Sequence, residues 1–215
     1  MKKIHILGLA LVAVFAFSAI AAASAFAESE WLVGGAVVTG KVEVLSESTA
    51  LKLCDEKGGL FLEDACIKCS GLDKGFVGPG KADETTEVTG LAGEKDIVNC
   101  TNELNCPGAI LVEAENLPWP TAVFLNGAEF RDLVGNPVLT EPKQPGYITS
   151  CSGVTDLCEG HTSVKLENSG ENNVIATFDA LSEKATCTRG GAGQGVITGT
   201  TLFFTDLPIL ALSIS

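Results

Sequence analysis

Apolar and polar residues alternate over short stretches along most of the chain. Between residues 109 and 117, Ile110, Val112 and Ala114 fall on one side while Glu113 and Glu115 fall on the other. That is the two-residue period of a strand, whose successive side chains point to opposite faces. The same period sets Val174, Ala176, Phe178 and Ala180 against Thr177 and Asp179. It also sets Thr162, Val164 and Leu166 against His161, Ser163, Lys165 and Glu167, and Val42 and Val44 against Lys41 and Glu43. Turn-forming pairs such as Gly34-Gly35, Gly58-Gly59, Asn126-Gly127 and Gly190-Gly191 separate these runs, as hairpin connections do. No stretch after residue 27 shows a 3.6-residue period. The pattern predicts an all-β fold, an antiparallel sandwich or barrel of roughly ten or more strands, with Leu202 to Leu212 as a final strand or strand pair. The glycines from Gly190 to Gly195 read as a flexible turn. Leu117-Pro118-Trp119-Pro120 reads as a rigid extended turn whose Trp119 caps one end of the core.

The one helix-like apolar stretch comes first. Lys2 and Lys3 precede an apolar stretch from Ile6 to about Ala23, and Ala25-Phe26-Ala27 supplies small residues for cleavage. Residues 1–27 therefore read as a secretory signal peptide, leaving 28–215 as one secreted β domain. No Cys stands at the cleavage site to take a lipid, and no second apolar run reaches the ~18 residues a membrane helix needs. The expected location is extracellular or at the cell surface.

Charge narrows the partners. The 215-residue chain carries a net charge of −13, and cleavage would strip two lysines from it. So acidic a protein repels phosphate backbones and anionic headgroups, which disfavours nucleic acid and lipid surfaces. An extracellular or envelope ligand is the expected partner.

Eight cysteines, Cys54, Cys66, Cys69, Cys100, Cys106, Cys151, Cys158 and Cys187, all lie beyond the leader, and an even number in an exported chain points to disulfides. Cys66 and Cys69 have a spacing that opens zinc ribbons and redox motifs, but no second close pair completes a zinc site. On a strand, residues three apart face opposite ways, so these two reach different partners. Proximity suggests Cys100 with Cys106 and Cys151 with Cys158, leaving Cys54, Cys66, Cys69 and Cys187 for two longer bridges.

Catalytic constellations are scarce. His161 is the only histidine after the leader, it sits on the polar side of its strand, where a solvated role is expected, and no Gly-x-Ser-x-Gly elbow or phosphate-binding glycine loop is present. An enzyme is not the expected reading, and no cofactor is called for. A carbohydrate-active hydrolase would need a carboxylate pair, for which Glu113 with Glu115 or Glu129 with Asp132 are the candidates. An extracellular inhibitor is a further alternative. Calcium would suit the acidic loops, with Asp83 and Glu84, or Glu167 and Glu171 together with Asn168 and Asn172, as ligands.

Cys69-Ser70-Gly71, Gly78-Pro79-Gly80 followed by Asp83-Glu84, Leu117-Pro118-Trp119, Phe130-Arg131-Asp132, Tyr147 ahead of Cys151, and Thr177-Phe178-Asp179-Ala180 ahead of Cys187 together resemble a pattern in secreted actinobacterial proteins of unknown function. The resemblance spans about residues 40 to 205 and implies export but no activity.

Overall fold

The structure is a computed structural model that describes residues 29–56, 65–79, 83–90, 97–101, 110–135, 144–151, 154–170, 172–179, 182–188, 193–205 and 212–214. The leader, Cys106 and Glu171 lie outside the described residues.

Sixteen strands are present among them. Three short ones, β1 (Trp31–Val33), β2 (Ala36–Val37) and β16 (Leu212–Ile214), form a small antiparallel sheet in the order β16-β1-β2. The other thirteen are β3 (Val42–Glu56), β4 (Ala65–Val77), β5 (Asp83–Thr89), β6 (Ile97–Thr101), β7 (Ile110–Glu115), β8 (Trp119–Asn126), β9 (Glu129–Val134), β10 (Gly146–Cys151), β11 (Val154–Glu159), β12 (Thr162–Ser169), β13 (Asn173–Phe178), β14 (Ala185–Cys187) and β15 (Gly193–Phe204).

These thirteen resolve into eight long staves. β3, β4 and β15 run unbroken, whereas β5 and β6, β7 and β8, β9 and β10, β11 and β12, and β13 and β14 are paired halves of five staves interrupted midway. Each stave pairs antiparallel with the next in sequence, and β15 returns to β3. The result is a closed, eight-stranded, up-and-down antiparallel barrel, which leaves no sheet edge along its wall. Of the two arrangements the sequence allowed, it is the barrel.

The interruptions coincide at a waist. There β3 carries a register shift between Ser48 and Leu51, and β15 one between Thr198 and Leu202. Gly199 sits in the second at φ 126°, where a Cβ would also lie 3.0 Å from the Ala50 carbonyl oxygen, so glycine alone suits the position. Asn116, at φ 63°, turns β7 into β8 ahead of a cis Leu117-Pro118 bond. Its Nδ2 donates to Gln144 O at 2.9 Å and Glu159 Oε1 at 2.8 Å. Trp119 is thus at the middle of the barrel rather than capping an end, because β7 and β8 are successive halves of one stave, alongside β6 and β5. The glycines expected to form a turn include Gly193 and Gly195, which open β15.

Two apolar clusters fill the two halves. Trp31, Val38, Val44, Val77, Val123, Val164, Leu166, Val174, Ala176 and Ile214 pack in one; Leu53, Ile67, Cys69, Ile110 and Val112 pack in the other. The small sheet stoppers the first half: Trp31 enters the core with its ring centroid 6.2 Å from that of Phe203. Asn168 holds the sheet in place by hydrogen bonds to both the N–H and the carbonyl of Ile214. Lys52, Lys68, Lys74, Glu113, Lys165 and Glu167 alternate with inward residues and face outward. A lipid-embedded barrel has the reverse arrangement, with its apolar band outside.

All disulfides among the described residues join directly opposed residues of neighbouring strands, and all lie in the second half. Cys54 bonds Cys66, Cys69 bonds Cys100, and Cys158 bonds Cys187, with Cα separations of 4.1, 4.1 and 4.0 Å. Cys66 and Cys69 do reach different partners, one outside the wall and one inside. The local pairings do not hold. Cys100 is taken by Cys69 on the adjacent stave, and Cys158 by Cys187, because β10 sets Cys158 opposite Tyr147 while Cys151 lies at the far end of the hairpin opposite Val154. Cys151 is disulfide-bonded, but not to Cys158. The half with the smaller apolar cluster is the one that sulfur secures. Replacing Cys158 and Cys187 together by serine is expected to lower the unfolding free energy by about 2–4 kcal/mol, read as a shifted midpoint in a urea titration; an unmoved midpoint contradicts it.

Candidate ligand-binding cavity

The eight staves do not close on a fully packed interior. A cavity of about 210 Å³ runs through the waist and is lined from both halves. Below the waist its wall is apolar: Leu53, Val98, Val112 and Ile197, with Tyr147 and Cys158. A Cβ on Gly195 would stand 2.4 Å from the Tyr147 hydroxyl and 3.1 and 3.3 Å from the sulfurs of Cys187 and Cys158. The bare glycine therefore admits the tyrosine beside the cystine.

Above the waist the wall is mixed, with polar groups set among Trp31, Val44, Val77, Val164 and Phe203. Ser46 and Ser48 of β3, Asp73 of β4, Thr121 of β8, Asp132 of β9 and Thr201 of β15 line the cavity. Ser46 Oγ donates to Asp73 Oδ2 at 2.9 Å. Burial pushes the Asp73 carboxyl up to about 6 against that bond. Behind Asp132 stands Asp83, whose Oδ2 accepts from Trp31 Nε1 at 2.9 Å and whose Oδ1 accepts from Gly78 N at 2.7 Å. Burial again outweighs both bonds and raises it to about 6. Asp132 is displaced furthest, to about 8, by burial and then by the neighbouring Asp83, although Ala122 N–H and the Thr121 hydroxyl donate to it. Its Oδ1 has no hydrogen-bond partner, and neither do Ser48 Oγ and Thr201 Oγ1, all three buried. Unpaired polar atoms inside a closed wall are costly, and these belong to residues that line an open volume.

Asp132 and Asp83 stood out in the sequence only in other roles, as half of a hydrolase pair with Glu129 and as a calcium ligand with Glu84, and Asp73 did not stand out, though a signal was there. Asp132 falls on the same parity as Phe130 and Val134, and Asp73 on that of Gly71, Gly75 and Val77, so both carboxylates sit in inward positions of the alternation.

The residues that did stand out are dispersed. Asp83 faces inward, while Glu84 on the next position pairs with Lys41 at the surface; Glu167 pairs with Lys165 at 3.0 Å, and Asn168 is engaged by Ile214. Asp83 with Glu84, and Glu167 with Asn168, therefore do not form a shared cation cage. Glu113 and Glu115 face outward, and Glu129 lies outside the wall from Asp132, so neither hydrolase pair converges. His161 is half-buried and lines the cavity at the waist rather than standing in solvent, because the stave bends at Gly160. Asp156, Cys158 and Cys187 cluster within metal-binding distance, but the two sulfurs are bonded to each other and offer no thiolate.

Arg131 and Asp179, from the Phe-Arg-Asp and Thr-Phe-Asp-Ala stretches, meet outside the wall. The guanidinium is 1% exposed and donates from Nη1 and Nη2 to the Asp179 carboxylate at 3.0 and 2.8 Å. Its Nε and Nη2 also donate to Ser163 Oγ and Ser163 O. The Asp179 hydrogen bonds hold the Arg131 pKa above its usual value. This clamp fastens the link between β13 and β14 over β9 and β12, a structural role rather than a site.

Comparison with known proteins adds no precedent: no family model, no curated protein and no solved structure matches the chain.

Proposed function

We propose that this protein is an exported binding module that holds one small, mainly apolar molecule inside its barrel. The observation that carries the reading is the cavity, lined by three residues whose buried polar atoms have no hydrogen-bond partner, since binding sites are concave, mostly apolar and fitted with a few polar groups. Eight strands enclose an interior wide enough for one small ligand. Export is supported by the leader-like residues 1–27 and by cystines, which persist in oxidising compartments. Disulfide staples also suit a scaffold that works outside the cell.

The cavity is somewhat larger than the ~150 Å³ that accommodates benzene in an apolar protein interior, so 2-phenylethanol is a suitable probe. Isothermal titration is expected to give one-to-one binding with a Kd of ~1 mM or tighter. Ser48→Phe, which places a ring in the cavity at the waist, is expected to abolish the heat of binding while circular dichroism stays unchanged. Unaltered binding in that variant, or none in the parent chain, overturns the reading.

A further inference from the structure

We propose that the ligand is a small hydrophobic amine, its ammonium group held at Asp132 in the polar belt and its hydrocarbon body lodged below the waist. This rests on the reading of the barrel as a binding module and specifies what it binds.

The division of the cavity sets the ligand's polarity. Residues below the waist offer hydrocarbon and sulfur, with Tyr147 the one hydroxyl among those named, whereas Asp73 and Asp132, with Asp83 immediately behind, stand above it among Trp31, Val44, Val77 and Phe203. A molecule spanning both needs a greasy body and a single polar end.

Charge and donor count set the nature of that end. Three carboxyl groups share the upper half, and the hydrogen bonds that reach them come from neutral donors: Ser46 to Asp73, Trp31 and Gly78 to Asp83, Thr121 and Ala122 to Asp132. Arg131, adjacent in sequence to Asp132, turns out of the barrel and is spent on Asp179. The hydrogen bonds at these three carboxyls thus bring them no cation from the protein, although Lys74 and His161 also line the cavity. Asp132 Oδ1, Ser48 Oγ and Thr201 Oγ1 are buried without a hydrogen-bond partner, on residues that line the cavity. β15 adjoins β3, so Thr201 and Ser48 belong to neighbouring staves, while Asp132 lies three staves away from β15. An ammonium group offers three donors and no acceptor, and the unpartnered Asp132 oxygen is an acceptor for one of them. A charge-assisted bond to a buried carboxylate is also about twice as strong as a neutral one. A ligand carboxylate would add a fourth acid to the belt and be refused.

Three probes of one shape test this by titration calorimetry on the oxidised chain: phenethylamine, 2-phenylethanol and 3-phenylpropionate. Phenethylamine is expected to bind at least tenfold more tightly than the alcohol, and the carboxylate not measurably. Asp132→Asn keeps the side-chain shape and is expected to erase the amine's tenfold advantage over the alcohol. Asp83→Asn, whose carboxyl is occupied by Trp31 and Gly78, is the control for loss of acidity nearby and is expected to retain a preference for the amine. If the alcohol binds as well as the amine, or Asp132→Asn leaves the preference intact, the assignment of an amine is overturned while the binding module stands. If none of the three binds, both fall.

Discussion

Asp179→Ala is expected to lower the unfolding free energy by about 3–5 kcal/mol, and to do so by more than Arg131→Met. The order follows from how unevenly the two partners are buried. The Arg131 side chain is 1% exposed and that of Asp179 is 27% exposed. Removing the carboxylate leaves a guanidinium enclosed by β9, β12 and the β13–β14 link, with the Glu129 carboxylate at 3.8 Å and the more weakly acting Glu183 as the remaining negative charges. Removing the guanidinium leaves an aspartate that can turn to water, and methionine retains much of the lost packing. Arg131→Lys should fall between them, since an ammonium cannot make the two parallel bonds to Asp179 together with those to Ser163. Urea titrations of the three variants check the ranking; an equal or inverted order would mean that the clamp is held mainly by packing.

Raising the pH from 5 to 8.5 is expected to destabilise the unliganded barrel, contrary to the usual behaviour of aspartates in salt bridges. Asp73, Asp83 and Asp132 have folded-state values of about 6, about 6 and about 8, all above the unfolded value of 3.8. Between the unfolded and folded values the native chain binds more protons than the unfolded one, so stability falls as pH rises through that window. Below the unfolded value both states are protonated and the difference vanishes. At ~1.4 kcal/mol per unit, Asp132 alone withdraws on the order of 4 kcal/mol over this span. Asp132→Asn should flatten most of the slope and make the barrel more stable than the parent chain at pH 8.5. Thermal midpoints at the two pH values measure it, and a parent midpoint that rises with pH refutes it.

How far the sequence foretold this molecule depended on whether a feature was local. The facing of Ile110, Val112 and Ala114, of Val164 and Leu166, and of Val174 and Ala176 follows from a two-residue period and matches the observed interior. The opposed directions of Cys66 and Cys69 follow from the same geometry. Cystine pairing does not, because stave neighbours can be distant in sequence: Cys69 and Cys100 are separated by 31 residues and Cys158 and Cys187 by 29. The Trp31–Asp83 bond was equally hidden, since it forms only when the small sheet stoppers the barrel. The acidic belt was half legible. Composition made the carboxylates look like surface charge, and only the parity of Asp73 and Asp132 marked them as inward.

The unequal continuity of the staves gives the tube a stiff spine and a jointed front. β3, β4 and β15 are sequential neighbours around the wall and carry their backbone pairing past the waist, whereas the five staves opposite are each made of two segments with a joint between them. The paired backbone of β3, β4 and β15 therefore keeps the two chambers in line along one side of the tube.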